Sequence, residues 1–263
     1  MTDWLTLDAP SGEWRPAGPA AGALEVAESW LVQHGRVRGL GLHLDRLARG
    51  AADAGMAGAV PDGLPGALRR ALPGTGRHFP RLELRGDGEL RLCVRPAPPR
   101  APTVVAWEPA VSDPRRAPRR KGPDLERLGR LREAAARHGA GEALLADADG
   151  RLLEGAYTSL LWWEDDVLCA VPDDAPILDG VTRRLLLGLA GRSGEAVALR
   201  RPAPGELAGR EVWLTSALHG IRAVSGWSGG AVAGEPRCAE AWQVRLDALA
   251  EPQALGAPAQ PHG

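Results

Sequence analysis

Apolar and polar positions change period several times along the chain. From 23 to 39, "ALEVAESWLVQHGRVRG" alternates on either side of His34-Gly35, which predicts a strand, a turn and a second short strand. From 42 to 55 the period lengthens. In "LHLDRLARGAADAG", Leu42, Leu44, Leu47 and Ala51 fall near one face and Gly55 follows as a stop, the pattern of an amphipathic helix. "GLPGALRRAL" (63–72) predicts a second helix. "PRLELRGDGELRLCVRP" (80–96) alternates around Gly86-Asp87-Gly88 and predicts a hairpin, and "PTVVAWEPA" (102–110) adds a strand.

Periodicity then lapses through the Pro- and Arg-rich "VSDPRRAPRRKGP" (111–123). A helix is expected beyond it, capped by Asp124, with Leu125, Leu128, Leu131 and Ala135 on one face and Gly139 at its end. "EALLADADGRLLEGAYTSLLWWEDDVLCAVP" (142–172) predicts strands broken at "DADG" and "EDD". "GVTRRLLLGLAG" (180–191) predicts a turn into a helix, and "EVWLTSALHGIRAV" (211–224) a strand running into a tight turn. Strands and helices interleave on both sides of the break, so the expected fold class is mixed α and β in two domains. The expected division is a small N-terminal domain over 1–112, a linker over 113–121 and a large C-terminal domain over 122–250. Residues 1–20 are expected to be irregular, and 251–263 to form a disordered tail.

Composition narrows the function classes. The net charge of -1 gives no electrostatic argument for nucleic acid or an anionic membrane as partner. No apolar run approaches the ~20 residues that span a bilayer, and "MTDWLTLDAP" has no basic region followed by an apolar core. Cys93, Cys169 and Cys238 lie far apart without metal-ligand spacing, so no metal is expected and the cysteines read as small buried hydrophobes of a cytoplasmic protein.

One position stands against this background. Of 32 basic residues 31 are arginine, and the single lysine is Lys121 in "RRKGPD". A lysine amine can lose its proton and attack a carbonyl, whereas guanidinium stays charged. Arg119 and Arg120 beside it would depress its pKa if they lie close in space. The alternative is a surface lysine that survived a compositional bias.

The surroundings of Lys121 weigh toward chemistry. "GLHLDRLARGA", Lys121, "GRLLEGAYTSLLWW", "ILDGVTRRLLL" and "EVWLTSALHGIRAV" occur in this order between about residues 24 and 226. The ordered set resembles the class IV, or fold-type IV, pyridoxal-phosphate aminotransferases. That family includes branched-chain and D-amino-acid aminotransferases and aminodeoxychorismate lyase. The resemblance implies a small and a large α/β domain with the site at their interface, pyridoxal 5'-phosphate as cofactor, a small-molecule amino substrate and a homodimer.

The resemblance also implies roles by position. Lys121 would form the internal aldimine and move protons at the substrate carbon. Glu154, in "LEGA", would pair with the pyridine nitrogen and keep it protonated. Arg46, in "HLDR", would hold the cofactor phosphate, with Val181 and Thr182 of "GVT" at a helix N-terminus and Thr215 and Ser216 of "LTSAL" in a second turn. Arg81, Trp30 and Tyr157 are the candidates for the substrate side.

Each residue has a plain structural alternative. Glu154 could be a solvated strand-end acid, Arg46 the charged face of its helix, Thr182 an N-cap and Arg81 a sheet-edge charge. The tryptophans could be core, and Trp162 and Trp163, if on a strand, must face opposite ways. The chain also departs from branched-chain members. "KGPDLERL" has no tyrosine after the lysine, Thr158-Ser159 replaces a Ser-Asn pair, and Gly141 replaces an Asp before Glu142. The expected activity is therefore that of a class IV aminotransferase, with aminodeoxychorismate lyase, releasing pyruvate and 4-aminobenzoate, as the alternative. A non-catalytic binding protein on the same scaffold is the third reading.

Overall fold

A computed structural model describes residues 3–108 and 112–252. Among them two compact units emerge, residues 3–98 with 249–252, and residues 99–248.

The first unit contains β1 (Trp4–Asp8), β2 (Glu13–Pro16), β3 (Leu24–Ser29), β4 (Val32–Gln33), β5 (Arg36–Arg38), α1 (Leu40–Asp53), α2 (Leu64–Ala71), β6 (Arg77–His78), β7 (Arg81–Arg85) and β8 (Leu90–Cys93). An antiparallel sheet runs in the order β2-β1-β8-β7-β3. The expected hairpin joins β7 to β8, with Gly88 at φ 87, a left-handed conformation that glycine adopts without strain. His34 and Gly35 take φ 48 and 70, the mirror-image turn that closes Gln33 against Arg36. Val26, Trp30, Leu47, Leu64, Leu68, Leu82 and Leu92 form one buried core.

The buried stripe of α1 is Leu40, His43, Arg46, Leu47, Gly50 and Ala51. Leu42 and Leu44, expected in the stripe, are only half-buried at its flanks. A histidine and an arginine stand in the core-facing stripe because buried Glu28 on β3 meets both.

The second unit contains β9 (Thr103–Trp107), α3 (Leu125–Arg137), β10 (Glu142–Ala146), β11 (Leu152–Gly155), β12 (Ser159–Glu164), β13 (Val167–Ala170), α4 (Val181–Ser193), β14 (Ala196–Leu199), β15 (Val212–Ser216), β16 (Gly220–Trp227) and α5 (Ala239–Asp247). Its sheet runs β11-β10-β9-β16-β15-β12-β13-β14, parallel where β9 meets β10 and β16 and where β13 meets β14. Leu128 and Ala135 of α3 share a core with Leu144, Leu160, Trp162 and Leu214. Trp163 belongs to a separate cluster, its ring 5.7 Å from Trp213 and 5.6 Å from Trp242 of α5. Adjacent Trp162 and Trp163 thus take opposite faces of the strand, and both are buried. No helix among the described residues is long and apolar enough to cross a membrane.

The structure departs from the sequence expectations in four further places. The units part after Pro98, not at 113–121, because β9 pairs with β10 and β16. Residues 4–8 and 13–16 are strands, since β1 completes its ladder with β8. The tail expected from 251 begins inside β17 (Ala250–Pro252), which pairs with β5 in the first unit, and 253–263 lie outside the described residues. Asp124 stands at the N-cap position of α3, and its carbonyl accepts the Leu128 amide at 2.9 Å, but its side chain makes no capping bond. Its Oδ2 instead accepts the amides of Arg116 at 3.0 Å and Ala117 at 2.8 Å, so it folds the preceding loop.

Candidate active site

Glu154 lies on β11 opposite Leu145, in a strand buried along its length. Its Oε1 accepts a hydrogen bond from the Leu178 amide at 2.8 Å and a short one from Arg115 Nη1. Burial raises the Glu154 carboxyl above the usual range, and the Arg115 guanidinium is the largest opposing influence. A solvated strand-end acid would be exposed; Glu154 is 4% exposed.

Arg115 was invisible among 31 arginines, yet it is the most heavily bonded side chain near this carboxylate. Its Nε and Nη2 meet Asp113 at 2.9 and 2.7 Å, and Nη2 also donates to the Pro176 carbonyl at 2.9 Å. The fork is well suited to such planar, multiple bonding. Four residues on, Arg119 donates to the carbonyls of Asp173 and Asp174, both at 2.9 Å. The stretch read as a linker is therefore fastened within the second unit, and half-buried Lys121 closes it. Gly122 follows at φ 144, a backbone conformation that side chains rarely adopt. The Arg119 guanidinium, expected to crowd the lysine, is turned to those two carbonyls.

From Leu178 the chain enters α4. Gly180 is its N-cap and carries no side-chain cap, and the Arg184 amide makes the first helical bond, to Gly180 O at 2.9 Å. The amides of Val181, Thr182 and Arg183 precede that bond and have no partner within the helix. Val181 and Thr182 are both buried, and Thr182 sits inside the helix rather than at its cap. Ser159 Oγ lies so close to Gly180 that a Cβ there would stand 2.2 Å away, which excludes any side chain at 180. Ser159 pairs with Thr215 across β12 and β15, and buried Thr215 donates to Ser159 O at 3.4 Å. Ser216 Oγ accepts the His219 amide at 3.2 Å and closes the turn into β16. Glu154, the α4 N-terminus and Thr215 are thus joined through Leu178 and Ser159 within one unit. Tyr157 is turned away toward α3, its hydroxyl donating to Leu125 O at 3.1 Å and its ring 4.7 Å under the Arg132 guanidinium.

The other sequence candidates lie in the first unit. Arg46 is buried, with Nε 2.6 Å from Glu28 Oε1 and Nη2 2.8 Å from Oε2, so it is not an ordinary solvated helix charge. His43 Nδ1 lies 2.8 Å from the same carboxylate. Trp30 is buried in the core with its ring 5.7 Å from His43. Arg81 is on β7, an interior strand, 2.6 Å from Glu83, so it is not an edge charge.

The second unit's donors fit a phosphorylated, cationic heterocycle. A helix start with unpaired amides suits a phosphate. A buried carboxylate whose bonds fall on one oxygen suits a ring N–H at the other, and a primary amine suits an aldehyde carbon.

The chain matches the family described as Amino-transferase class IV over residues 25–227. A fold IV-transaminase, CpuTA1, from Curtobacterium pusillum superposes with a TM-score of 0.76 at 20% identity, over 93% of this chain and 97% of that one. A hypothetical aminotransferase from Mycobacterium tuberculosis, in its apo form, gives a TM-score of 0.76 at 23% identity, over 95% and 98%. The branched-chain aminotransferase of Thermoproteus uzoniensis gives 0.77 at 16%, over 96% and 99%. No curated protein sequence shows significant similarity to the chain. The mixed α and β architecture is that of the fold-type IV aminotransferases, and the family match spans most of the chain. The chain belongs to the amino-transferase class IV family, whose members are enzymes that use pyridoxal phosphate.

Proposed function

We propose that this protein is a pyridoxal-phosphate-dependent aminotransferase acting on an amino acid or amino-acid-like small molecule, with Lys121 as its catalytic residue. The observation that carries the reading is the buried Glu154 carboxylate, bonded through Oε1 to Arg115 and to the amide of Leu178, two residues before the Gly180 cap. When bound, the cofactor supplies an electron sink for the carbanion formed at the substrate carbon. Glu154 holds a proton on the ring nitrogen. The Val181 and Thr182 amides, the Thr182 hydroxyl and the turn at Thr215 and Ser216 bind the phosphate, and Arg46 is a further proposed phosphate ligand. Lys121 would hold the cofactor at its aldehyde end, and its amine would move the substrate α-proton. Arg81, Trp30 and Tyr157 remain proposals for the substrate side. A homodimer, as the family resemblance implies, and a cytoplasmic location, as the scattered cysteines suggest, complete the reading.

The absence of an aromatic residue in "KGPDLERL" supports a second reading, aminodeoxychorismate lyase. Both routes begin with the same lysine and glutamate. The test is to purify the protein, record a visible absorption band that borohydride abolishes, and then add amino acids and aminodeoxychorismate separately. Conversion to the pyridoxamine form marks the aminotransferase; pyruvate with 4-aminobenzoate marks the lyase. A protein that takes up no pyridoxal phosphate would be a binding module on this scaffold, and the proposal would fall.

A further inference from the structure

We infer that Arg115 is the positioning residue for Glu154, selecting which carboxylate oxygen is presented and fastening the lysine-bearing loop to the segment that enters α4. The inference rests on the cofactor reading above. Three observations carry it. Both hydrogen bonds to Glu154 fall on Oε1, from Arg115 and from Leu178, which reserves Oε2 for a ring N–H. The same guanidinium donates to the Pro176 carbonyl at 2.9 Å, two residues before that amide. It is held in turn by Asp113 at 2.7 Å, at the head of the stretch that ends in Lys121. One side chain therefore bonds to the carboxylate, to the entry of the phosphate-binding turn and to the lysine loop.

A purely structural ion pair would also be buried and multiply bonded. The two roles differ in how they respond to pH. Without Arg115, burial acts on Glu154 with its main counterweight removed, and the carboxyl takes up a proton at higher pH. A protonated Glu154 accepts a ring N–H poorly. Cofactor affinity should then fall most at the acid end of the range, an effect that a loosened loop alone would not produce.

The test is titration of cofactor-free protein with pyridoxal phosphate from about pH 5.5 to about pH 9. Wild type, Arg115→Lys, Arg115→Gln, Glu154→Gln and the Arg115→Gln/Glu154→Gln double variant are compared. Arg115→Gln should bind at least about tenfold more weakly, with the deficit widest at low pH. Arg115→Lys keeps the charge but not the fork, so it should recover part of the affinity with an unshifted pH profile. The double variant should be no weaker than the weaker single, since both act through one carboxylate. Wild-type affinity and pH dependence in Arg115→Gln would overturn the inference, as would a pH-independent loss that adds to that of Glu154→Gln. If Arg115→Gln does not fold, Arg115→Lys decides, and wild-type affinity there would overturn it. A wild type that binds no pyridoxal phosphate would instead overturn the cofactor reading and this inference together.

Discussion

Glu28 and Arg46 face each other across β3 and α1 in a two-point ion pair, 2.6 Å from Nε to Oε1 and 2.8 Å from Nη2 to Oε2. Burial alone would raise the Glu28 carboxyl, but Arg46 and His43 more than offset it and hold its pKa at about 2. The folded state therefore favours the ionised form. That contribution is complete above the ordinary value of 4.5 and is lost as pH falls from there through about 2. Linkage puts it at about 3 kcal/mol. Acid unfolding monitored by circular dichroism should show stability declining over this window, and Glu28→Gln should flatten the decline. At neutral pH Glu28→Gln should be less stable by about 3–5 kcal/mol, because Arg46 is left buried without its countercharge. A variant as stable as wild type would show the pair to be dispensable.

This pair changes what Arg46→Ala can report. Removing the guanidinium takes from buried Glu28 its two-point partner, leaving His43 at 2.8 Å, as well as deleting a proposed phosphate contact. Thr182→Ala is the cleaner probe of phosphate binding. The backbone amides of α4 remain, so its affinity for pyridoxal phosphate should fall by less than about tenfold, the loss of one neutral hydrogen bond. A larger loss would mean that the hydroxyl, not the helix start, carries the phosphate.

Lys121→Arg keeps the charge and removes the nucleophilic amine. The visible band and turnover should both vanish while the circular dichroism spectrum is unchanged. Near-native turnover in this variant would remove Lys121 from the chemistry.

Glu154→Gln preserves shape and removes charge. Arg115 keeps Asp113 and the Pro176 carbonyl as partners, so the fold should persist. Turnover should fall by about 10²–10⁴, the usual cost of losing a placed proton-handling group. Unchanged steady-state rates would mean that Glu154 serves the fold only.

The parts of the molecule visible in the sequence are those written locally. Gly86-Asp87-Gly88 encodes its hairpin through a left-handed glycine, "GVT" opens α4, and Lys121 stood out because every other basic residue is arginine. The parts without a local signature are set by distant partners. Helix α5 buries only Trp242 and Leu246, too few to make a stripe. Its first amides, Cys238 and Ala239, are met by Glu211, whose carboxylate lies 27 and 28 residues earlier. The segment 113–121 read as a linker because hydrogen bonds from arginine side chains to carbonyls leave no periodic trace. Arg115 was hidden for the same reason: its partners, not its neighbours, make it distinctive.

Glu211 offers a direct test of such long-range capping. It accepts the Cys238 amide at 2.9 Å, the Ala239 amide at 2.8 Å and the Trp213 indole N–H at 2.7 Å. Glu211→Ala should lower stability by about 1–3 kcal/mol. It should also alter tryptophan fluorescence, since Trp213 and Trp242 lie 5.7 Å apart. Denaturant unfolding indistinguishable from wild type would show that α5 needs no such cap.

The pairing of β17 with β5 also fixes an order of events during synthesis. Residues 250–252 supply the outer strand of a sheet whose other strands lie within the first 78 residues. The whole second unit is translated in between. At roughly 5–20 residues per second, β5 waits on the order of ten seconds or more with its pairing edge open. During that interval the nascent first unit carries an exposed strand edge, a ready template for mispairing with another chain. Arg36 and Arg38, the charged residues that flank Val37 on that edge, are positioned to discourage it until Ala250 arrives.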